Sequence, residues 1–223
     1  MNWLAERKEL IATVRRMNTL GINQGSSGNA SIRVGDSYLI TPSGMAYEDL
    51  KPDDIVEMSF AGEVSGKRNP SSEWRFHHDL LAARLDFNAI LHTHGMAAMT
   101  VACQRMDIPP FHYMIAVAGG NTIRCADYAT FGTQELSNNA LKAMEGRKAC
   151  LLANHGLLIG DESLEQALAL GVEVETLCDT YWRVLQVGKP ILLTDAEMEA
   201  VKMQFVKGYG MSQKKAEGEC GAK

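Results

Sequence analysis

Asn88-Ala89-Ile90-Leu91-His92-Thr93-His94 decides how this chain is read. On an extended strand, side chains alternate between faces, so residues two apart point the same way. His92 and His94 can then reach one point in space. A second apolar run, Ala149-Cys150-Leu151-Leu152-Ala153, leads into Asn154 and His155. Gly95 and Gly156 directly follow His94 and His155 and permit close backbone approach. Three neutral imidazoles converging from strand ends are a common way to hold a catalytic zinc while leaving a position for substrate. A lone His-x-His is equally well explained by rings bonded to backbone carbonyls. The repeated context at His155 favours a metal.

Outward from this stretch, helical and strand periodicities are mixed. Leu4, Leu10, Ile11, Val14, Met17 and Leu20 recur at helical spacing before Gly21. Ala30, Ile32 and Val34 alternate with polar residues, and residues 38–41 read as the partner strand across the Gly35-Asp36 turn. Residues 55–59 read as a strand and 62–70 as a loop. A helix is expected over 72–85, strands over 89–93, 114–116 and 122–124, and a helix over 134–144. Ser163-Leu164-Glu165-Gln166 is a capping box opening a helix that runs to Gly188, and Thr194-Asp195-Ala196-Glu197 repeats the device before the last helix. The mixture predicts a single α/β or α+β domain over residues 1–211 with a mainly antiparallel sheet, and a mobile polar tail over 212–223.

Composition narrows the class. The 223 residues are ample for a buried core, and a net charge of -5 gives no general attraction to nucleic acid. No stretch approaches the roughly 20 apolar residues needed to cross a bilayer, so no membrane partner is expected. Residues 1–9 mix charges and lack a signal-peptide core; the expectation is a cytoplasmic protein. Five scattered cysteines with no Cys-x-x-Cys pair indicate neither a disulfide framework nor a structural zinc module. Cys150 and Cys178 read as small core residues.

Other segments bear on ligands. Pro70-Ser71-Ser72-Glu73-Trp74 places two hydroxyls at a helix start, a setting that attracts phosphate, although ordinary capping explains it as well. Gly25-Ser26-Ser27-Gly28-Asn29 is a glycine-rich loop without the lysine of a P-loop. Ser43-Gly44 is a turn.

Taken together, Gly28-Asn29, the segment from Pro70 to His77, His92-Thr93-His94 and Asn154-His155-Gly156 make the chain resemble the class II aldolase/adducin family over residues 20–209. His112-Tyr113-Met114-Ile115 and Tyr128-Ala129-Thr130-Phe131-Gly132-Thr133 are similar to its fuculose-type branch. The resemblance implies an α/β three-layer domain, a central mainly antiparallel sheet flanked by helices. It implies one Zn²⁺ per subunit on His92, His94 and His155, with Glu73 completing the set until substrate arrives and then acting as acid/base. It implies a phosphate pocket of Asn29, Ser43, Gly44, Ser71 and Ser72, with Gly28 shaping its loop. Tyr113 would come from a neighbouring subunit of a homotetramer and handle the proton on the aldehyde oxygen. Phe131 and Tyr209 would wall the aldehyde pocket.

The implied activity is reversible cleavage of a ketose 1-phosphate, such as L-fuculose 1-phosphate, to dihydroxyacetone phosphate and a short aldehyde such as L-lactaldehyde. An aldolase for 5-deoxyribulose or 5-methylthioribulose 1-phosphate is the alternative, because residues 95–98 and the tail after Gly210 depart from the fuculose pattern. A pentulose-phosphate 4-epimerase, a dehydratase and a non-catalytic scaffold rank behind these. Epimerases of the family typically place aspartate where Glu73 stands, and the intact histidine triad argues against a scaffold. His77 and His78 are expected to be ordinary helix residues, and His112 an outer contact at most.

Overall fold

Strand β5 (Ala89–Thr93) is buried along its whole length and lies inside an eight-stranded sheet. Its residues do not alternate in polarity because both faces of the sheet are covered. The other strands are β1 (Asn29–Val34), β2 (Ser37–Ile40), β3 (Val56–Ser59), β4 (Val64–Ser65), β6 (Arg124–Ala126), β7 (Ala149–Leu152) and β8 (Gly156–Asp161). Their order is β4-β3-β2-β1-β5-β8-β7-β6, and only the β6–β7 pair is parallel. This computed structural model describes residues 2–207; Tyr209 and the 212–223 tail lie outside the described residues.

Helices complete three layers. One face carries α1 (Leu4–Thr19), α3 (Met96–Ala102), α5 (Leu164–Val187) and α6 (Asp195–Val206); the other carries α2 (Trp74–Ala83) and α4 (Gln134–Ala143). The strands alternate accordingly. Leu39, Leu91, Leu157 and Ile159 pack into the first layer, whereas Ile40, Ile90 and Leu158 pack into the second. Helix α1 buries Leu10, Ile11, Val14 and Met17 as one stripe, each worth roughly 1.5–3 kcal/mol of burial. Leu4 and Leu20 fall outside it and are about half exposed. Gly21, at φ 75°, then turns the chain in a conformation that glycine adopts without strain.

Several expectations are corrected. Residues 114–116 are not a strand but part of a 3-10 segment, Tyr113–Ala118, whose first turn is capped by His112 Nδ1 accepting from the Met114 amide. The next strand begins at Arg124 rather than at residue 122; Ile123 makes only an isolated bridge to Ile108. The loop over 62–70 contains the two-residue strand β4. Helix α2 starts at Trp74, not Ser72, with Glu73 at the N-cap position. Helix α3 lacks charges and an amphipathic stripe, and so gives little sequence signal. Glu175 of α5 holds its start, accepting from the Ala97 and Ala98 amides at 2.7 and 3.1 Å. The run Leu157-Leu158-Ile159 has no alternation either, yet forms the centre of β8. Thr194 and Glu197 make the full reciprocal cap, but Gln166 reaches the Ser163 hydroxyl instead of its backbone amide.

The end of β5 and the start of β8 approach closely beside the histidines. A Cβ on Gly156 would sit 2.5 Å from the Thr93 carbonyl oxygen and 3.2 Å from both the His92 and His94 rings. Gly156→Ala is therefore expected to destabilise the metal-free protein by about 1–3 kcal/mol in urea unfolding, the usual range for overpacking. An unchanged midpoint would show that the two strands part without loss.

Candidate metal centre

The site grows from the register of three strands and one helix. Asn29 of β1 pairs with His92 of β5, and His92 pairs with Leu158 of β8. His92 therefore lies on the same face as Ile90, toward α2, with its ring edge against Phe76 at 5.4 Å between centroids. His94 follows the strand by one residue, so its ring reaches the same point. His155 stands in the three-residue connection between β7 and β8, next to Asn154 at φ 53°, a left-handed conformation that asparagine tolerates better than most residues. Glu73, at the start of α2, supplies the carboxylate from the opposite layer.

These four side chains converge. One ligand atom from each of Glu73, His92, His94 and His155 lies within 4.8 Å of the others. His92 Nε2 and His94 Nε2 are 2.8 Å apart. Glu73 Oε2 is 3.3 Å from His92 Nε2, and Oε1 is 3.2 Å from His155 Nε2. A tetrahedral zinc with bonds near 2.0–2.1 Å spaces its ligand atoms ~3.4 Å apart. The His92 Nδ1–H donates to the Leu157 carbonyl oxygen at 3.0 Å, which leaves the Nε2 lone pair pointing into the cluster. Glu73 Oε1 is buried and has no hydrogen-bond partner among the described residues. An orphaned carboxylate oxygen among imidazole lone pairs is the electronic arrangement a divalent cation satisfies, so the residues fit a metal.

Electrostatics point the same way. Burial pushes His92 down to about 3, against the pull of Glu73, so its ring is neutral at pH 7. Burial likewise lowers His94. Burial alone would raise the Glu73 carboxyl, but His92, His155 and the Asn29 amide outweigh it and hold it well below the usual carboxylate range. Neutral imidazoles and an ionised carboxylate are the protonation states that bind metal without first releasing protons.

A cleft of about 330 Å³ opens beside the cluster, lined by Ser27, Ser72, Glu73, His94, Tyr128, Ala129, Phe131, Asn154 and His155. Ser71 is buried, its hydroxyl accepting from the Glu73 amide at 3.3 Å. The Ser43-Gly44 turn is brought beside it, because Pro42 bridges Pro70 and the Ser71 amide donates to the Thr41 carbonyl. Gly44 has φ 71°. A Cβ on Gly28 would collide with the His92 carbonyl oxygen, so this loop can pass so near β5 only with glycine there. Gly28, Asn29, Ser43, Gly44, Ser71 and Ser72 thus share one end of the sheet with the four candidate ligands. Phe131 lies on the cleft wall and is 65% exposed. Tyr113 does not line this cleft; its ring stacks on His112 and is 40% exposed.

Sequence reasoning missed Asn23, Arg105 and His77 here. Asn23 is buried and its side-chain oxygen accepts from the His94 amide at 3.0 Å, fixing the chain just after β5. Arg105 and Asn154 are both left-handed; Arg105 Nε donates to Asn154 Oδ1 at 2.6 Å and its guanidinium lies over Tyr128. His77, an ordinary helix residue by sequence, is fully buried and bonded to both Asn29 and Ser31. A signal existed for it: Glu73 and His77 are four apart on a helix, so they share a face.

Comparison with known proteins agrees with this geometry. The family described as Class II Aldolase and Adducin N-terminal domain matches residues 8–182. A 5-methylthioribulose-1-phosphate/5-deoxyribulose-1-phosphate aldolase from Rhodospirillum rubrum is 54% identical over 207 residues, 93% of each chain. L-fuculose phosphate aldolase from Escherichia coli is 44% identical over 204 residues, 92% of this chain and 95% of that one. A solved L-fuculose 1-phosphate aldolase superposes with a TM-score of 0.87 at 42% identity, covering 90% of this chain and 95% of that one. Among the described residues no helix is long and apolar enough to cross a membrane.

Removing one imidazole should weaken the centre without unfolding the sheet, because His155 sits in a turn. His155→Ala is expected to lower the metal content of purified protein at least tenfold by elemental analysis, with far-UV circular dichroism unchanged. Full occupancy in that variant would remove His155 from the ligand set.

Proposed function

The chain belongs to the class II aldolase and adducin family and is a metal-dependent aldehyde-lyase; from that membership we propose that it cleaves 5-deoxyribulose 1-phosphate or 5-methylthioribulose 1-phosphate, with L-fuculose 1-phosphate as a poorer substrate. The shared product is dihydroxyacetone phosphate. What carries the choice is the relative named for the two ribulose phosphates, 54% identical against 44% for the fuculose enzyme. The cleft wall supports it. Tyr128, Ala129 and Phe131 offer a mainly apolar surface, and the Asn154 side-chain oxygen is already taken by Arg105. Such a wall suits a methyl or methylthio terminus better than the extra hydroxyl of the fuculose product.

Zinc is the ion we assign, from a donor set of three imidazoles and one carboxylate. When bound, the ion supplies Lewis-acid stabilisation of negative charge developing on the two adjacent substrate oxygens. Asn29, Ser71, Ser72 and the Ser43-Gly44 turn bind the phosphate and so fix the reacting carbons, an orientation effect. Glu73, ionised in the free site, leaves the histidines on substrate arrival, takes up a proton from water and delivers it to C3. Tyr113 of a neighbouring subunit in a homotetramer accepts the C4 hydroxyl proton as the C3–C4 bond breaks. The bonding pair stays on C3, a carbonyl forms at C4, and the proton lost from the hydroxyl is balanced by the one Glu73 returns to C3. Phe131 flanks the departing aldehyde.

A panel of the three ketose 1-phosphates, ranked by kcat/KM from dihydroxyacetone phosphate release, tests the substrate. The two ribulose phosphates should exceed L-fuculose 1-phosphate by about tenfold or more, since a difference of one small group is worth roughly 1–3 kcal/mol. A preference for L-fuculose 1-phosphate would reverse the assignment, and epimer formation without release would refute aldol cleavage. Glu73→Gln should still take up zinc supplied in excess, with lowered affinity, but lose most turnover, and Tyr113→Phe should slow turnover with metal content intact. An undiminished rate in either variant removes that residue from the proton path.

A further inference from the structure

Behind the metal cluster, β1 and α2 mesh at matched spacing. Two residues along a strand advance about 6.6 Å and four along a helix about 6 Å. Asn29, Ser31 and Arg33 therefore meet Glu73, His77 and Leu81 in step. Asn29 Nδ2 donates to Glu73 Oε2 at 2.9 Å, and Asn29 Oδ1 is 2.5 Å from His77 Nε2. His77 Nδ1 is 2.8 Å from Ser31 Oγ, and Arg33 donates to the Leu81 carbonyl. Asn29, Ser31, Glu73 and His77 are all buried.

Proton positions along this chain of contacts are determined by one charge. The Glu73 carboxylate only accepts, so Asn29 must turn its NH₂ toward it. The Asn29 oxygen then faces His77, so His77 Nε2 must carry the hydrogen. Nδ1 is left as an acceptor, and the Ser31 hydroxyl must donate to it. Burial pushes His77 down to about 3, consistent with a neutral ring held in this single tautomer. Without the donor at His77, nothing on this side distinguishes the two orientations of the Asn29 amide. The flipped one aims its oxygen at the carboxylate.

We propose that Ser31 and His77 are a positioning pair that locks the Asn29 amide, and through it the Glu73 carboxylate, against the three histidines. Their hydrogen bonds run to each other and to Asn29, so both act through Asn29. The inference rests on the metal reading of that cluster. Groups that orient a metal ligand from behind are typically worth 10–100-fold in metal affinity. The competing account is that His77 merely fills space between strand and helix. In that case its loss would destabilise the fold but leave the affinity of the folded protein alone.

The test is zinc affinity, measured by competition with a chromogenic chelator on protein shown to be folded by circular dichroism. His77→Leu should weaken zinc binding 10–100-fold. His77→Gln, whose amide nitrogen reaches as far as the imidazole Nε2 and restores a donor to Asn29, should stay within about threefold of the unsubstituted protein. Ser31→Ala frees the other tautomer and should weaken binding by threefold or more. Folded His77→Leu with unchanged affinity overturns the proposal, as does a His77→Gln that binds no better than His77→Leu. Should His77→Leu fail to fold, Ser31→Ala carries the decision, and an unchanged affinity there overturns it equally. If the unsubstituted protein takes up no zinc or other divalent ion, it is the metal reading itself that fails.

Discussion

Glu73 is a carboxylate taken out of water, and the architecture around it follows from that fact. A buried charge is tolerated only when paired and hydrogen-bonded. Here the hydrogen bond comes from Asn29, the His92 ring turns a lone pair toward the carboxylate, and one carboxylate oxygen has no hydrogen-bond partner among the described residues, so the pairing charge would be the cation that the four ligands could hold. The strands bring the rings from one layer and α2 brings the carboxylate from another. The sheet therefore cannot slip against the helix without separating the charge from its partners. A one-residue slip of β5 would also turn His92 to the opposite face. Register, layer packing and ligand geometry are thus a single constraint.

What could be read in advance follows the physical range of each signal. His92 and His94 were legible because their relation is local: two residues on one strand. Cys150 and Cys178 were legible as core because apolar context is local too, and both are fully buried. Strand β8 and helix α3 were not legible. Leu157-Leu158-Ile159 is covered on both faces and has no period, and α3 is a short uncharged helix whose start is stabilised by Glu175 from a distant element. The 3-10 segment Tyr113–Ala118 resembled a strand because β-branched and aromatic residues favour extended chain until a neighbouring helix decides otherwise. His77 was hidden for a related reason. Its partners Asn29 and Ser31 lie on a strand far away in sequence, and only the fold shows that the two spacings mesh.

The cleft wall illustrates how a family scaffold is specialised. Arg105 and Asn154 both adopt left-handed backbone, a conformation that costs about 1–2 kcal/mol for residues other than glycine, and they bond to each other beside His155. Strain of this sort persists where surrounding contacts over-determine it. The outcome is a fixed edge to the pocket, with the guanidinium covering Tyr128. Asn29, Glu73 and His92 stand on strands and at a helix start, whereas this edge is built from turns, the part of a fold that varies most readily.

The central pairings carry one more implication. Residue 29 adjoins residue 92, and residue 92 adjoins residue 158, so the strands that frame the cluster are brought together from opposite thirds of the polypeptide. A nascent chain that has left the ribosome only as far as residue 94 possesses two of the imidazoles and the carboxylate but neither His155 nor the strand that flanks it. The full set of four candidate ligands therefore exists only after residue 155 has been made and β8 has joined the sheet.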